Sequence, residues 1–231
     1  MHITTQGLVL RETSYKEADK ILTVLTREGG KRTVKARGCR RKNSPLAASA
    51  QLLVWSDMTL FEYRDYFTLN EAEALELFWG VRQDVEKLAL CSYFAEVTEL
   101  VAEEGRPDAG LLPLILTSMY ALDKRKKPLP LVKAAFELKL LCLAGYEPLL
   151  DACAVCGLPE PEQPALDLAE GVLRCGHCGS GGGPARVLDT AALAAMRHVV
   201  YGDPKRLFSF ALPPESLSRM AAACEGFPLA Q

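Results

Sequence analysis

Histidine is scarce: the 231 residues hold three, and His198 sits in an apolar stretch with no acid or thiol beside it in sequence. No GxxxxGK[ST] phosphate loop and no HExxH pair occurs, so P-loop hydrolysis and zinc-protease chemistry have no basis here, and the chain reads as a non-enzyme. No apolar run reaches the roughly 18 residues that spanning a bilayer requires, and nothing apolar follows MHITTQG. A cytoplasmic protein without a membrane partner is expected. A general positive charge is also missing: the net charge is −2 and the pI near 6.0, which argues against blanket attraction to polyanions and for a local one.

That local field lies near the start. Residues 1–42 carry 11 Lys and Arg against 4 Asp and Glu, a net of +7, which leaves −9 on the rest. Within it, GGKRTVKARGCRRKN holds Lys31, Arg32, Lys35, Arg37, Arg40, Arg41 and Lys42 and no acid. If this stretch leaves the Gly29–Gly30 turn as a strand, alternation puts Lys31, Thr33, Lys35 and Arg37 on one face and Val34 and Ala36 on the other. Like charges at that spacing repel unless an anion lies across them, and a phosphate backbone is such an anion. The competing reading, a solvated or aggregation-resistant edge, is weakened by the segregation of charge.

The eight cysteines divide into two sets. Cys39, Cys91, Cys142 and Cys224 are scattered in apolar or strand-like surroundings and read as small reduced hydrophobes. Cys153-Ala-Val-Cys156 and Cys175-Gly-His-Cys178 form CxxC-x18-CxxC, the spacing of a tetrahedral zinc site with two thiolates from each of two turns. Four filled positions leave none for substrate, so one structural zinc ion is expected, with His177 spared. The Gly179–Pro184 run GSGGGP reads as an exit from this module.

Along the chain, GLVLRET, ILTVLTR, KRTVKARG, QLLVWSDMTLFEY and DYFTLNEAE read as five strands, the last two joined near Arg64–Asp65. They suit a small barrel of the oligonucleotide-binding type, which combines cations with aromatic platforms. Tyr15 and Tyr66, in or beside connections, are the stacking candidates, whereas Trp55 and Phe61 are expected to pack inside. From Leu75 the period becomes helical, with Val81, Val85, Leu88, Ala95 and Leu100 along one helix that stops at Gly105–Pro107. Helices follow near Leu111–Leu122, from Leu129 to Gly145, from Asp189 or Thr190 to Tyr201, and from Pro214 to Cys224. The helix ending at Gly145 is apolar nearly all round and should be central to a bundle. Lys124–Lys127 reads as a solvated loop, with an acidic partner or further nucleic acid as its functional alternative.

These residues resemble the RecO family of bacterial recombination mediators over the whole chain. The likeness rests on GLVLRETSYKEADKILTVLTREGGKRTVKARGCRR, the helical middle, and the CxxC pair after Ala144-Gly145-Tyr146. It implies an α+β multidomain protein: an OB-fold β-barrel over 1–78, a helical domain beginning over 79–150, a four-cysteine zinc module over 151–184, and C-terminal helices over 185–231 completing the helical domain. It further implies binding of single-stranded and double-stranded DNA, annealing of complementary strands, and partnership with RecR. It implies help in loading RecA onto strands coated by single-stranded DNA-binding protein, hence DNA repair, the RecF pathway and a nucleoid-associated location. Carried onto this chain, the six cations from Lys31 to Arg41 fall in the DNA-binding barrel and the four cysteines at the metal positions. For the acidic tail of the coat protein, Val132, Phe136, Leu140 and Leu143 with Lys133 and Lys139 are the expected docking face. The pI near 6.0 departs from the basic character of many DNA-binding proteins and suggests that partners supply part of the grip.

Two other readings share these features. A redox-sensing chaperone would use the cysteine quartet as a switch and the helices as a client surface. An RNA-binding module would use barrel and metal knuckle on RNA.

Overall fold

Alternating β-branched residues separated by tight turns give five strands: β1 (His2–Tyr15), β2 (Asp19–Thr26), β3 (Gly30–Ala36), β4 (Trp55–Tyr63) and β5 (Tyr66–Glu76). In the computed structural model, which describes residues 1–64, 66–179 and 182–227, they close into a barrel in the order β1-β2-β3-β5-β4. All pairings are antiparallel except β3 with β5, which run parallel through Val34–Phe67 and Lys35–Thr68. Val9, Leu22, Val24, Val34, Met58, Leu60 and Leu69 fill the interior. The β3–β4 connection contributes Cys39, Leu46 and Ala50 to the same core, so it plugs the barrel rather than looping free. Of the expected β4–β5 turn, Asp65 lies outside the described residues, as do Ser180 and Gly181 of the expected exit from the metal module.

The hairpin into β3 depends on Gly30. Its φ is +64°, and a Cβ there would lie 2.0 Å from the Arg106 carbonyl oxygen, so both backbone conformation and space exclude a side chain. Gly30→Ala is expected to cost at least about 2 kcal/mol of stability, read by urea unfolding.

The helical segment after the barrel is interrupted. Strand β5 runs to Glu76, a short helix α1 covers Trp79–Arg82, and α2 (Val85–Val101) starts afresh because the Asp84 carboxylate accepts the Glu86 and Lys87 backbone N–H groups. The buried stripe of α2 is Cys91, Phe94, Ala95 and Thr98, while Val85 and Leu100 point outward. This differs from the continuous helix expected from Leu75, because the cap resets the helical register. Helix α3 (Leu111–Asp123) packs on α1 and α2.

The chain divides into two compact units, Met1–Lys124 and Arg125–Gln231. Thus α1, α2 and α3, within the expected 79–150 segment, lie in the first. The second holds α4 (Leu129–Leu143), α5 (Thr190–Tyr201) and α6 (Pro214–Gly226), with α4 packed on both others. It also holds a three-stranded sheet in the order β7-β6-β8, built from β6 (Ala165–Asp167), β7 (Val172–Arg174) and β8 (Ala185–Val187). Among the described residues, no helix is long and apolar enough to cross a membrane.

Candidate nucleic-acid interface and metal centre

On β4, Ser56, Met58 and Leu60 point into the barrel, so Trp55, Asp57, Thr59, Phe61 and Tyr63 take the outward parity. On β5 the same rule turns Phe67 and Leu69 inward and Tyr66 outward. On β3, Val34 and Ala36 are buried and Thr33, Lys35 and Arg37 face out. The outward sets meet over a groove of about 850 Å³ lined by His2, Tyr15, Lys35, Arg37, Phe61, Tyr63 and Tyr66, among others. Tyr66 is 77% exposed and Tyr63 59%, open enough for a flat ring to lie on them.

The sequence-expected residues Tyr15, Lys35, Arg37 and Tyr66 therefore come together. Phe61, expected inside, is 38% exposed in the groove and tilted against His2 at 5.2 Å; its parity with Tyr63 on β4 decides this. His2, from the start of β1, and Tyr63 join them; the alternation Ser56, Met58, Leu60 carries the signal for Tyr63 but none for His2.

The seven cations do not act as one block. The Lys31 ammonium donates to the Glu99 carbonyl at 2.7 Å, and its backbone pairs with Glu103 and Gly105. It is spent on the carbonyl-bearing end of α2, where the helix dipole favours a cation. Arg32 has the inward parity of Val34, and its guanidinium lies 4.8 Å from the Phe67 ring centroid, a cation–π contact. Lys35 stays in the groove, 4.8 Å from the Tyr15 ring centroid and 3.3 Å from Asp19. The Asp19 carboxyl is held below its ordinary range, first by the Gly38 N–H and then by Lys35. Arg37, Arg40, Arg41 and Lys42 are exposed on the strand end and the following connection. The field that faces solvent thus runs from Lys35 to Lys42, not from Lys31.

In the second unit, the stripe expected to dock a partner is the inside of the helix packing. Val132 and Phe136 are fully buried and Leu140 nearly so, with Leu143 half-buried. Lys133 pairs with Glu137 and Glu225, and Lys139 donates to the Val200 carbonyl. The apolar wrap of α4 is consumed by α5 and α6, which is the physical reason it offers little to a partner.

The cysteine quartet is assembled from two turns of the same design. In each, CxxC is followed by a glycine at φ +73°, Gly157 and Gly179, which no nearby atom crowds. The four sulfurs of Cys153, Cys156, Cys175 and Cys178 lie within 4.8 Å of one another. The Cys156 Sγ to Cys175 Sγ distance is 3.8 Å. Metal–sulfur bonds of about 2.3 Å give a tetrahedron with edges of about 3.8 Å, so the set fits a metal ion. Backbone N–H groups of Cys156 and Val155 pull the Cys153 thiol down to about 6, while the neighbouring sulfurs of Cys175 and Cys156 push Cys178 up to about 12. Crowded sulfurs resist joint ionisation without a cation between them. His177 is exposed and outside the cluster. By contrast, burial pushes Cys91 up to about 12 and Cys142 to about 11, and raises Cys39 and Cys224, so these remain inert thiols.

A closed five-strand barrel with an aromatic and cationic groove, joined in one chain to a four-thiol metal-type cluster, defines a multidomain α+β binding protein of the oligonucleotide-binding barrel class. The family profile for the N terminal of Recombination protein O matches residues 1–78, and that for its C terminal matches residues 82–228. The DNA repair protein RecO of Symbiobacterium thermophilum is 35% identical over 97% of this chain and 90% of its own length. That of Acetivibrio thermocellus is 30% identical over 98% and 90%, and that of Heliobacterium modesticaldum 35% over 94% and 80%. The chain belongs to the Recombination protein O (RecO) family.

Proposed function

We propose that this chain is a DNA-repair and recombination mediator that takes single-stranded DNA into the barrel groove and anneals complementary strands. The observation that carries this reading is the convergence of Tyr15, Phe61, Tyr63 and Tyr66 with Lys35 and Arg37 on one open groove. Bases stack on the rings without regard to sequence, and the cations hold the phosphates. Annealing then needs no hydrolysis, because two bound strands meet at raised effective concentration and base pairing does the rest. Duplex DNA, RecR and the tail of single-stranded DNA-binding protein complete the proposed partner set, with RecA acting downstream. An acidic chain of pI near 6.0 leaves part of the grip to them. The quartet holds one structural zinc ion that fixes the two CxxC turns.

Tyr66→Ala tests the groove with little effect on the fold, since the side chain is largely in solvent. Loss of one stacked base is worth about 1–3 kcal/mol, so affinity for single-stranded DNA should fall about tenfold with the melting temperature unchanged. Unaltered affinity would remove stacking from this face. Equal or tighter binding of RNA of the same length would turn the reading toward an RNA module.

A further inference from the structure

The second unit carries cations that the groove does not use. Arg125, Lys126 and Lys127 precede α4, and Lys205 and Arg206 form a 3-10 turn over Pro204–Arg206 after α5. The fold brings the two segments together. The Lys127 ammonium donates to the Phe210 carbonyl at 2.9 Å. His198, in the last turn of α5, lies 2.9 Å from the Arg206 carbonyl through Nε2 and edge-on to the Phe210 ring at 5.3 Å. Lys126, Lys205 and Arg206 are exposed and form no ion pair among the described residues, whereas Lys127, like Lys31, is engaged by a carbonyl and serves as the tie between the segments. The one acid within the two segments, Asp203, accepts the Lys205 backbone N–H and keeps its charge, so the open cations exceed it by three to one. In an acidic chain, such a local excess of positive charge on two segments tied together favours an anion that joins it.

We propose that this patch is a second nucleic-acid site, which holds the phosphates of a strand other than the one in the groove. The inference rests on the annealing reading above and supplies what that reading needs, a place for each strand. The alternative anion, an acidic peptide with an apolar end, requires a pocket for that end. None of the exposed large apolar side chains falls within residues 125–130 or 203–210, and Leu207 and Phe208 are buried. Within the two segments open cations outnumber open apolar side chains, which suits a phosphate backbone, gripped by cations alone.

The test uses the full chain and a dT oligomer of about eight nucleotides, a length one barrel covers. Unmodified protein should bind two oligomers per chain at low salt. The triple variant Lys126→Glu, Lys205→Glu, Arg206→Glu should bind one, keep its groove affinity within about threefold, and anneal complementary strands at least about tenfold more slowly. Lys127 is left in place because it ties the two segments. Three lost phosphate contacts should remove about two units of salt slope from the second binding step. Unchanged stoichiometry and annealing in a triple variant that melts normally would overturn the site. So would protection of the patch by a free acidic peptide but not by dT. Loss of nothing in a groove variant such as Lys35→Glu with Arg37→Glu would instead sink the groove reading and leave this site standing.

Discussion

Replacing Lys35 and Arg37 together by glutamate is expected to weaken single-strand binding at least about tenfold and to flatten its salt slope by more than one unit. These two are the strand cations that stay in the groove, whereas Lys31 is held by the α2 carbonyls and Arg32 lies against Phe67. Each carries a phosphate contact worth about 0.7 of slope on a single strand, and reversal adds repulsion to the loss. The fold should survive. Asp19, the partner of Lys35, is held mainly by the Gly38 N–H and only secondarily by Lys35, so the turn after β3 keeps its anchor. Reversal does set two carboxylates side by side at that point, and Lys35→Ala with Arg37→Ala separates this strain from lost DNA contact. Fluorescence anisotropy at several salt concentrations beside a thermal melt makes the measurement. A folded double variant with unaltered affinity would take the DNA assignment away from this strand. By the same geometry, Lys31→Glu should act on the docking of α2, lowering stability more than affinity.

Cys153→Ser with Cys156→Ser should abolish metal retention and disorder the two CxxC turns. Structural zinc contributes on the order of 10 kcal/mol in small modules, where no preformed site exists without folding. Here the surrounding sheet has apolar support of its own from Leu150, Leu166, Leu168 and Leu173, all buried. The damage should therefore centre on residues 153–179 and spare the barrel unit. Metal content, limited proteolysis within that stretch, and a melt of the second unit read the outcome together. A variant that melts and resists protease like the unmodified chain, from a parent that binds no zinc, would end the structural-metal assignment. Single-strand binding by the groove should stay within about threefold, because the groove is built entirely from the first unit.

The legibility of this chain differs by element. The five strands, α4 through α6 and the quartet follow from local pattern: alternation, caps such as Asp189 before α5, and a ligand spacing that only a turn-and-return path satisfies. The helical break at Asp84 is not legible in the sequence because an apolar period running through it masks a capping carboxylate. The α4 stripe reads as a docking face in sequence because an apolar wrap looks the same whether its partner lies in the same chain or in another.

Residue types in order thus determined the barrel strands, the separation of positive charge into the first 42 residues, and the metal-type thiol set, because each depends on neighbours close in sequence. Which cations remain open to an anion was decided only by tertiary contacts. Lys31 and Lys35 are four residues apart on one strand face, yet α2, some 70 residues later, takes the first and leaves the second in the groove. A helix end that docks from far along the chain leaves no trace in local pattern, and its carbonyls occupy a lysine that would otherwise be open to a phosphate.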